Sequence, residues 1–158
     1  LRILAIDPGT TESGVCVMDN LKPIFFSKMR NEQLLTNIEK RAYDNVVIEM
    51  VASYGMPVGA EVFETCVWIG RFHQEALTIT DDITYITRNT VKHNICHSSK
   101  ANDATIKQAL VDRFARGQGN HGKGTKKAPG FFYGFKKDIW SAFALGVTYI
   151  DLKNRGEL

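Results

Sequence analysis

Three acids in this 158-residue chain stand where local packing gives no reason for a carboxylate. Asp7 closes the apolar run Ile3-Leu4-Ala5-Ile6 and is followed at once by the turn residues Pro8-Gly9. Glu49 closes a second apolar run, Val46-Val47-Ile48. A carboxylate delivered by a buried strand is costly unless it is paired or binds a metal. Asp138 opens the last helical pattern, in a basic and aromatic context. The helix dipole also favours an acid in a first turn, so Asp138 has an ordinary explanation beside the chemical one. If the first and fourth strands are neighbours, Asp7 and Glu49 project side by side from one end of a sheet, and the last helix brings Asp138 across them. Hard oxygen donors with open solvent positions suit Mg²⁺ or Mn²⁺. Two such ions about 3.5–4 Å apart activate a water and stabilise the leaving oxygen of a phosphodiester.

The elements that must position these acids follow from periodicity. Arg2 to Asp7, Gly14 to Met18 and Ile24 to Met29 read as strands of an antiparallel meander, with Asp19-Asn20 and Pro23 as turn chemistry. Asn31 is placed to cap a helix running to about Tyr43, with Leu34, Leu35, Ile38 and Ala42 on one face. Val46 to Met50 is a fourth strand, and Val51 to Ala60 a loop. Glu61 to Leu77 is strongly helical, with a stripe of Val62, Phe63, Cys66, Val67, Ile69, Gly70, His73 and Leu77. A stripe that wide can serve a core and a partner chain at once, so Val62, Cys66, Ile69 and His73 are expected at or near a dimer contact. His73 reads as a core or interface histidine. Ile83 to Thr87 is a fifth strand, and Asn89 to Cys96 a short helical turn. Asn102 or Ser99 can cap a helix over Asp103 to Ala115. Gly117 to Gly134 is structureless by pattern, and the last helix spans Lys136 to Leu152. The expected fold class is α/β: a five-stranded mixed sheet flanked by helices, in a single domain over residues 1–158.

Composition narrows the partners. The net charge is only +3, but Arg113 to Lys137 holds seven Lys or Arg and no acid. A basic field of that kind suits a polyanion, nucleic acid first, although a solvated loop would carry the same residues. The cysteines Cys16, Cys66 and Cys96 are odd in number and widely spaced, which argues for buried small hydrophobes in a reducing compartment rather than a disulfide framework. No apolar run is long enough to span a bilayer, and no secretory signal pattern is seen, although the sequence starts at Leu1. His93, Cys96 and His97 have no second pair to complete a zinc set.

Three segments together carry a resemblance to a known family. Ile6-Asp7-Pro8-Gly9-Thr10, Val47-Ile48-Glu49 and Asp138-Ile139-Trp140-Ser141-Ala142 resemble the RuvC family of Holliday-junction resolvases, in the right order over nearly the whole chain. Tyr133-Gly134-Phe135-Lys136-Lys137 ahead of Asp138 is similar to the phage-type branch. The resemblance implies an RNase H-like fold, a homodimer and symmetric, Mg²⁺-dependent cleavage of four-way DNA junctions, leaving 5′-phosphate and 3′-hydroxyl ends. It makes Asp7, Glu49 and Asp138 the metal-binding carboxylates, with two ions per site, no small-molecule cofactor and no membrane. It implies a cytoplasmic protein, in the bacterial host if phage-encoded. RuvC proteins usually carry a second acid three positions after Asp138, where this chain has Ser141. Asp103 is the candidate replacement, although a first-turn acid is also ordinary there. Lys100 and Lys107 flank Asp103 and would neutralise charge at a phosphate. Tyr54, with Met56 beside it, would stack on unpaired bases, worth about 1–3 kcal/mol per base. Lys126, Lys127, Lys136 and Lys137 would track the backbone. Two other readings stay open: a broader nuclease of forks and flaps, and a junction binder that does not cut. A sugar-kinase fragment is disfavoured, because the chain lacks room for two such domains.

Overall fold

The computed structural model describes residues 1–158, in the order β1 (Arg2–Asp7), β2 (Glu12–Asp19), β3 (Lys22–Arg30), α1 (Asn31–Glu39), β4 (Asn45–Met50), α2 (Ala60–Ala76), β5 (Ile83–Thr87), α3 (Arg88–Cys96), α4 (Asp103–Phe114) and α5 (Asp138–Asn154). The five strands form one mixed sheet in the order β3-β2-β1-β4-β5. The first three make an antiparallel meander, and β4 and β5 run parallel to β1. The expected α/β class and sheet are found.

The central strands are apolar on both faces because both are covered. Ile3, Ala5, Cys16, Met18 and Val47 point into the larger core, shared with α3, α4 and α5. Leu4, Ile6, Val15, Val17, Val46 and Ile48 point into the smaller one, shared with α1 and α2. Helix α5 dominates the first face, with twelve of its seventeen residues buried. Each large apolar side chain so buried contributes about 1.5–3 kcal/mol, so α5 is fixed along its length by the core. Gly146 lets it lie against β1 and β2, since a Cβ there would strike Met18 and approach Ala5. No helix is long and apolar enough to cross a membrane.

Three expectations need correction. Helix α1 stops at Glu39, and Arg30 rather than Asn31 is its N-cap. Asn31 is fully buried and bonded elsewhere. The helical stretch expected over Asn89 to Cys96 is found as the nine-residue α3, capped by Thr87 Oγ1 accepting from the Thr90 N–H and ended by His97 in the left-handed region. The stripe on α2 divides: Ile69 and Phe72 are buried, while Phe63 and Val67 are each 63 % exposed. Ile69 therefore faces the core and not a partner, and Cys66 is exposed rather than a buried small hydrophobe. Finally, residues 117–134 are not structureless. The Phe132 N–H bonds the Gly122 carbonyl at 2.8 Å, the Gly130 N–H bonds Lys123 at 2.9 Å, and the Phe131 N–H bonds Gln118 Oε1 at 2.7 Å. Phe131 stacks on Phe114, and Phe132 packs against Trp140 with ring centres 4.5 Å apart. Polarity suggested a mobile loop, but tertiary aromatic packing overrides it.

Candidate active site

The strand register sets out the site. Along the α5 face of the sheet, alternate residues run from core to rim: Ile3-Ala5-Asp7 on β1, Val47-Glu49 on β4, Cys16-Gly14 on β2 and Phe26-Lys28 on β3. Lys28 is paired with Gly14, Gly14 with Asp7, and Glu49 with Ile86. Ile6 pairs with Ile48, so Asp7 and Glu49 lie side by side one step further on. One transverse row therefore reads Lys28, Gly14, Asp7, Glu49, Ile86. Cross-strand neighbours share a face, so both acids and Lys28 rise on the side covered by α5.

Asp138 closes the row from above. A Cβ on Gly14 would come within 2.5–2.7 Å of the Asp138 backbone and Cβ. Only a glycine in the middle of the row lets the start of α5 descend this far. Lys137, just before it, has φ 36°, a left-handed conformation that an L side chain rarely adopts. The turn after Asp7 is tied from beneath. Asn31 Nδ2 donates to the Gly9 carbonyl at 2.9 Å, and Ser13 Oγ donates to Asn31 Oδ1 at 2.6 Å while accepting from the Gly9 N–H. Ser13 and Asn31 are both buried.

Burial pushes the Asp7 carboxyl well above the ordinary carboxylate range, and the neighbouring Glu49 charge, a hydrogen bond to Glu49 and the Asp138 charge push the same way. Each acid except Asp7 has a cationic partner. Lys28 Nζ lies 2.8 Å from Asp138 and 3.9 Å from Glu12, and the Asp138 bond holds the lysine above its usual value. Arg88 Nη1 lies 3.6 Å from Glu49, and Arg88 Nη2 pairs with Asp103. Glu49 Oε1 is buried without a hydrogen bond.

These residues fit a hard divalent cation. Two adjacent carboxylates, one with an orphaned buried oxygen and the other with its pKa raised by burial and by its acidic neighbours, are a site short of positive charge. The fit is in the pair. No three His, Cys, Asp or Glu side chains converge on one point, because Asp138 is turned to Lys28 and Asp103 to Arg88. Asp103, whose side chain is 86 % exposed, reaches Glu49 only through Arg88.

At Asp138 and Arg88 opens a cleft of about 460 Å³. Asp138, Ser141 and Trp140 form one wall, Arg88, Asp103 and Lys107 another, and Lys123, Lys136 and Lys137 complete it. Lys107 Nζ sits 5.1 Å over the Trp140 ring. Lys136 and Lys137 also border a second groove, of about 470 Å³, with Lys28 and Phe26. Two basic channels thus flank Asp138. The expected Lys107, Lys136 and Lys137 line them, whereas Lys100, Lys126 and Lys127 are exposed and line neither. Tyr54 and Met56 are exposed beyond Glu49, and Tyr54 Oη accepts from the Asn89 N–H at 3.3 Å. His73 is half-buried, with Nδ1 on the Tyr85 hydroxyl.

Sequence reasoning missed Lys28, Gly14 and Arg88 as site residues. Phe26 followed by Lys28 was a usable signal, since it continues an inward-facing alternation into a charge. Gly14 and Arg88 gave none.

No family model matches the sequence, and no curated protein matches it. Among solved structures, the chain is similar to Thermus thermophilus RuvC, with a TM-score of 0.71 at 14% identity over 99% of this chain and 98% of that one. It is equally similar to T. thermophilus RuvC in complex with Holliday junction substrate, with a TM-score of 0.71 at 14% identity over 99% of this chain and 97% of that one. The fold is RuvC-like.

Proposed function

We propose that this protein is a metal-dependent, structure-selective DNA endonuclease that resolves four-way junctions as a homodimer. The observation that carries the reading is the strand-end pair Asp7–Glu49, short of positive charge, with Asp138 and Arg88 beside it lining a basic cleft. The RuvC-like fold supports it, and one of the similar structures holds a Holliday junction substrate. Asp7 and Glu49 hold Mg²⁺ or Mn²⁺, with Asp138 as the third carboxylate. When bound, the ions supply a hydroxide at neutral pH and stabilise the leaving oxygen.

The chain's own residues do the rest. Lys107, Lys123, Lys136 and Lys137 fix the phosphates by charge. Trp140 lies under Lys107 and holds that lysine in place. Tyr54 and Met56 meet bases near the junction centre, and Lys100, Lys126 and Lys127 contribute a more distant field. Asp103 is the fourth acid, acting at the cleft through Arg88. The segment Tyr133 to Ala142 favours the phage-type branch, with action in a host cytoplasm.

The test is cleavage of a labelled four-way junction in Mg²⁺ and in Mn²⁺, beside forks and flaps. Wild type should cut the junction symmetrically and faster than the other substrates. Asp7→Asn, Glu49→Gln and Asp138→Asn should bind it and leave it intact, whereas Asp103→Asn should still cut. Tight wild-type binding with no product in either metal would instead make the protein a junction binder, and equal rates on all branched substrates would make it a general debranching nuclease.

A further inference from the structure

Arg88 is the only cation within ion-pair distance of Asp7 or Glu49, and its placement runs against helix electrostatics. It is the first residue of α3, at the positive end of the helix dipole, and no acid shares that first turn. Its backbone is fixed there by the Thr87 cap and by Tyr54, which accepts from the Asn89 N–H. The guanidinium is split between two acids, Glu49 on the sheet and Asp103 at the cleft mouth.

The two contacts are unequal. At 3.6 Å, Arg88 Nη1 and Glu49 Oε1 neutralise each other's charge but are too far apart for a hydrogen bond. Both atoms are buried, and neither has any other partner. A buried charged pair left without its hydrogen bond is readily replaced by a better partner on either side. For Glu49 the better partner is a hard cation. For Arg88 it is a phosphate, whose oxygens match the guanidinium fork. Arg88 already borders the cleft where that phosphate would lie.

We propose that Arg88 is a displaceable counter-ion: it neutralises Glu49 in the metal-free protein, and a divalent cation that takes Glu49 Oε1 releases the guanidinium into the cleft to hold a substrate phosphate. Metal loading and substrate grip are thereby coupled through one side chain. Asp103 keeps the released group at the cleft mouth, which gives that exposed acid a role without requiring it to bind metal. The inference rests on the metal reading of the site given above.

The test is calorimetric titration of Mn²⁺ into wild type, Arg88→Gln and Arg88→Lys, with junction binding followed by anisotropy in EDTA and in Ca²⁺. Arg88→Gln should bind Mn²⁺ about tenfold more tightly, because no counter-ion has to leave. Arg88→Lys keeps the charge and should stay within about threefold of wild type. Metal-free Arg88→Gln should melt below wild type and gain more from added Mn²⁺. Relative to wild type, its junction affinity should fall by a larger factor in Ca²⁺ than in EDTA. Equal or poorer Mn²⁺ binding by folded Arg88→Gln would overturn the proposal, since Arg88 would then merely support Glu49. If that variant does not fold, Arg88→Met, which keeps the apolar stem, goes through the same titration. Wild type that takes up no Mn²⁺ sinks the metal reading itself, whereas wild-type uptake with an unchanged Arg88 variant sinks this inference alone.

Discussion

Burial, then the neighbouring Glu49 and Asp138 charges, favour the protonated form of Asp7 in the fold. The sign of its effect on stability follows. Asp7 titrates higher in the folded protein than the roughly 3.9 of an unfolded aspartate, so the metal-free fold loses stability as pH rises above that value. Asp7→Asn removes the titrating group. Metal-free thermal melts should show the variant more stable than wild type by about 1–3 kcal/mol at pH 8, and the gap should close towards pH 4. A site poised for a ligand is commonly unstable without it. Asp151 is the opposite case. Burial alone would raise its pKa, but two bonds from Arg113, at 2.8 and 2.9 Å, and one from Asn94 hold it below the ordinary value. Its contribution is present above the unfolded pKa and lost as pH falls through the folded one. Because Arg113 is 42 % exposed, solvent screening limits the effect. Asp151→Asn should cost about 1 kcal/mol at pH 7, with no difference from wild type in melts near pH 2. At this scale the strand-end acids were legible, because an apolar run that stops on a carboxylate has few innocent explanations. Gly14 and Arg88 were not, because the meaning of each depends on what another segment sets opposite it.

Helix α5 joins the largest core to the chemistry. Its body is buried among aromatic and aliphatic side chains, and its first residue is Asp138. The clearance at Gly14 decides how far that first residue descends. Gly14→Ala puts a methyl into the Asp138 backbone. The start of α5 must then lift, and the helix body, pinned by its packing, cannot follow. The expected cost is about 1–3 kcal/mol in chemical denaturation, with a loss of junction cleavage much larger than the loss of junction affinity. Unchanged cleavage by Gly14→Ala would show that Asp138 has no need of this approach. The elements themselves were largely readable from periodicity, including all five strands and both long helices. The helix at Arg88 was read from Asn89, one residue past its start, and is capped by Thr87. One segment was not readable. The 117–134 segment owes its order to Phe131 and Phe132 reaching rings on α4 and α5. Its lysines are consequently delivered at fixed points, and Lys123 lines the cleft from a segment whose polarity suggested mobility.

At the scale of the whole molecule, the sheet has chemistry at one rim and an unpaired apolar strip on one flank. Phe63 and Val67 stand one turn apart on the outer side of α2, with exposed Cys66 and Gly70 beside them. A two-fold junction suits a two-fold enzyme, and this strip is where the proposed dimer would close. Phe63→Asp with Val67→Asp should leave the fold intact and give the mass of one chain by light scattering, where wild type gives two at micromolar concentration. Paired, symmetric nicking should fall with it. A wild-type monomer under those conditions would remove the dimer from the proposal.

The sharing of α5 between interior and rim also bears on safety. A cutting enzyme that kept its reactive centre while half melted would be a hazard to any genome near it. Under the proposed reading, the acid over the Asp7–Glu49 pair is the first residue of a helix with twelve of seventeen residues buried, so a disturbed interior also displaces that acid. If the protein cuts DNA as proposed, damage that loosens α5 should therefore cost cleavage together with stability.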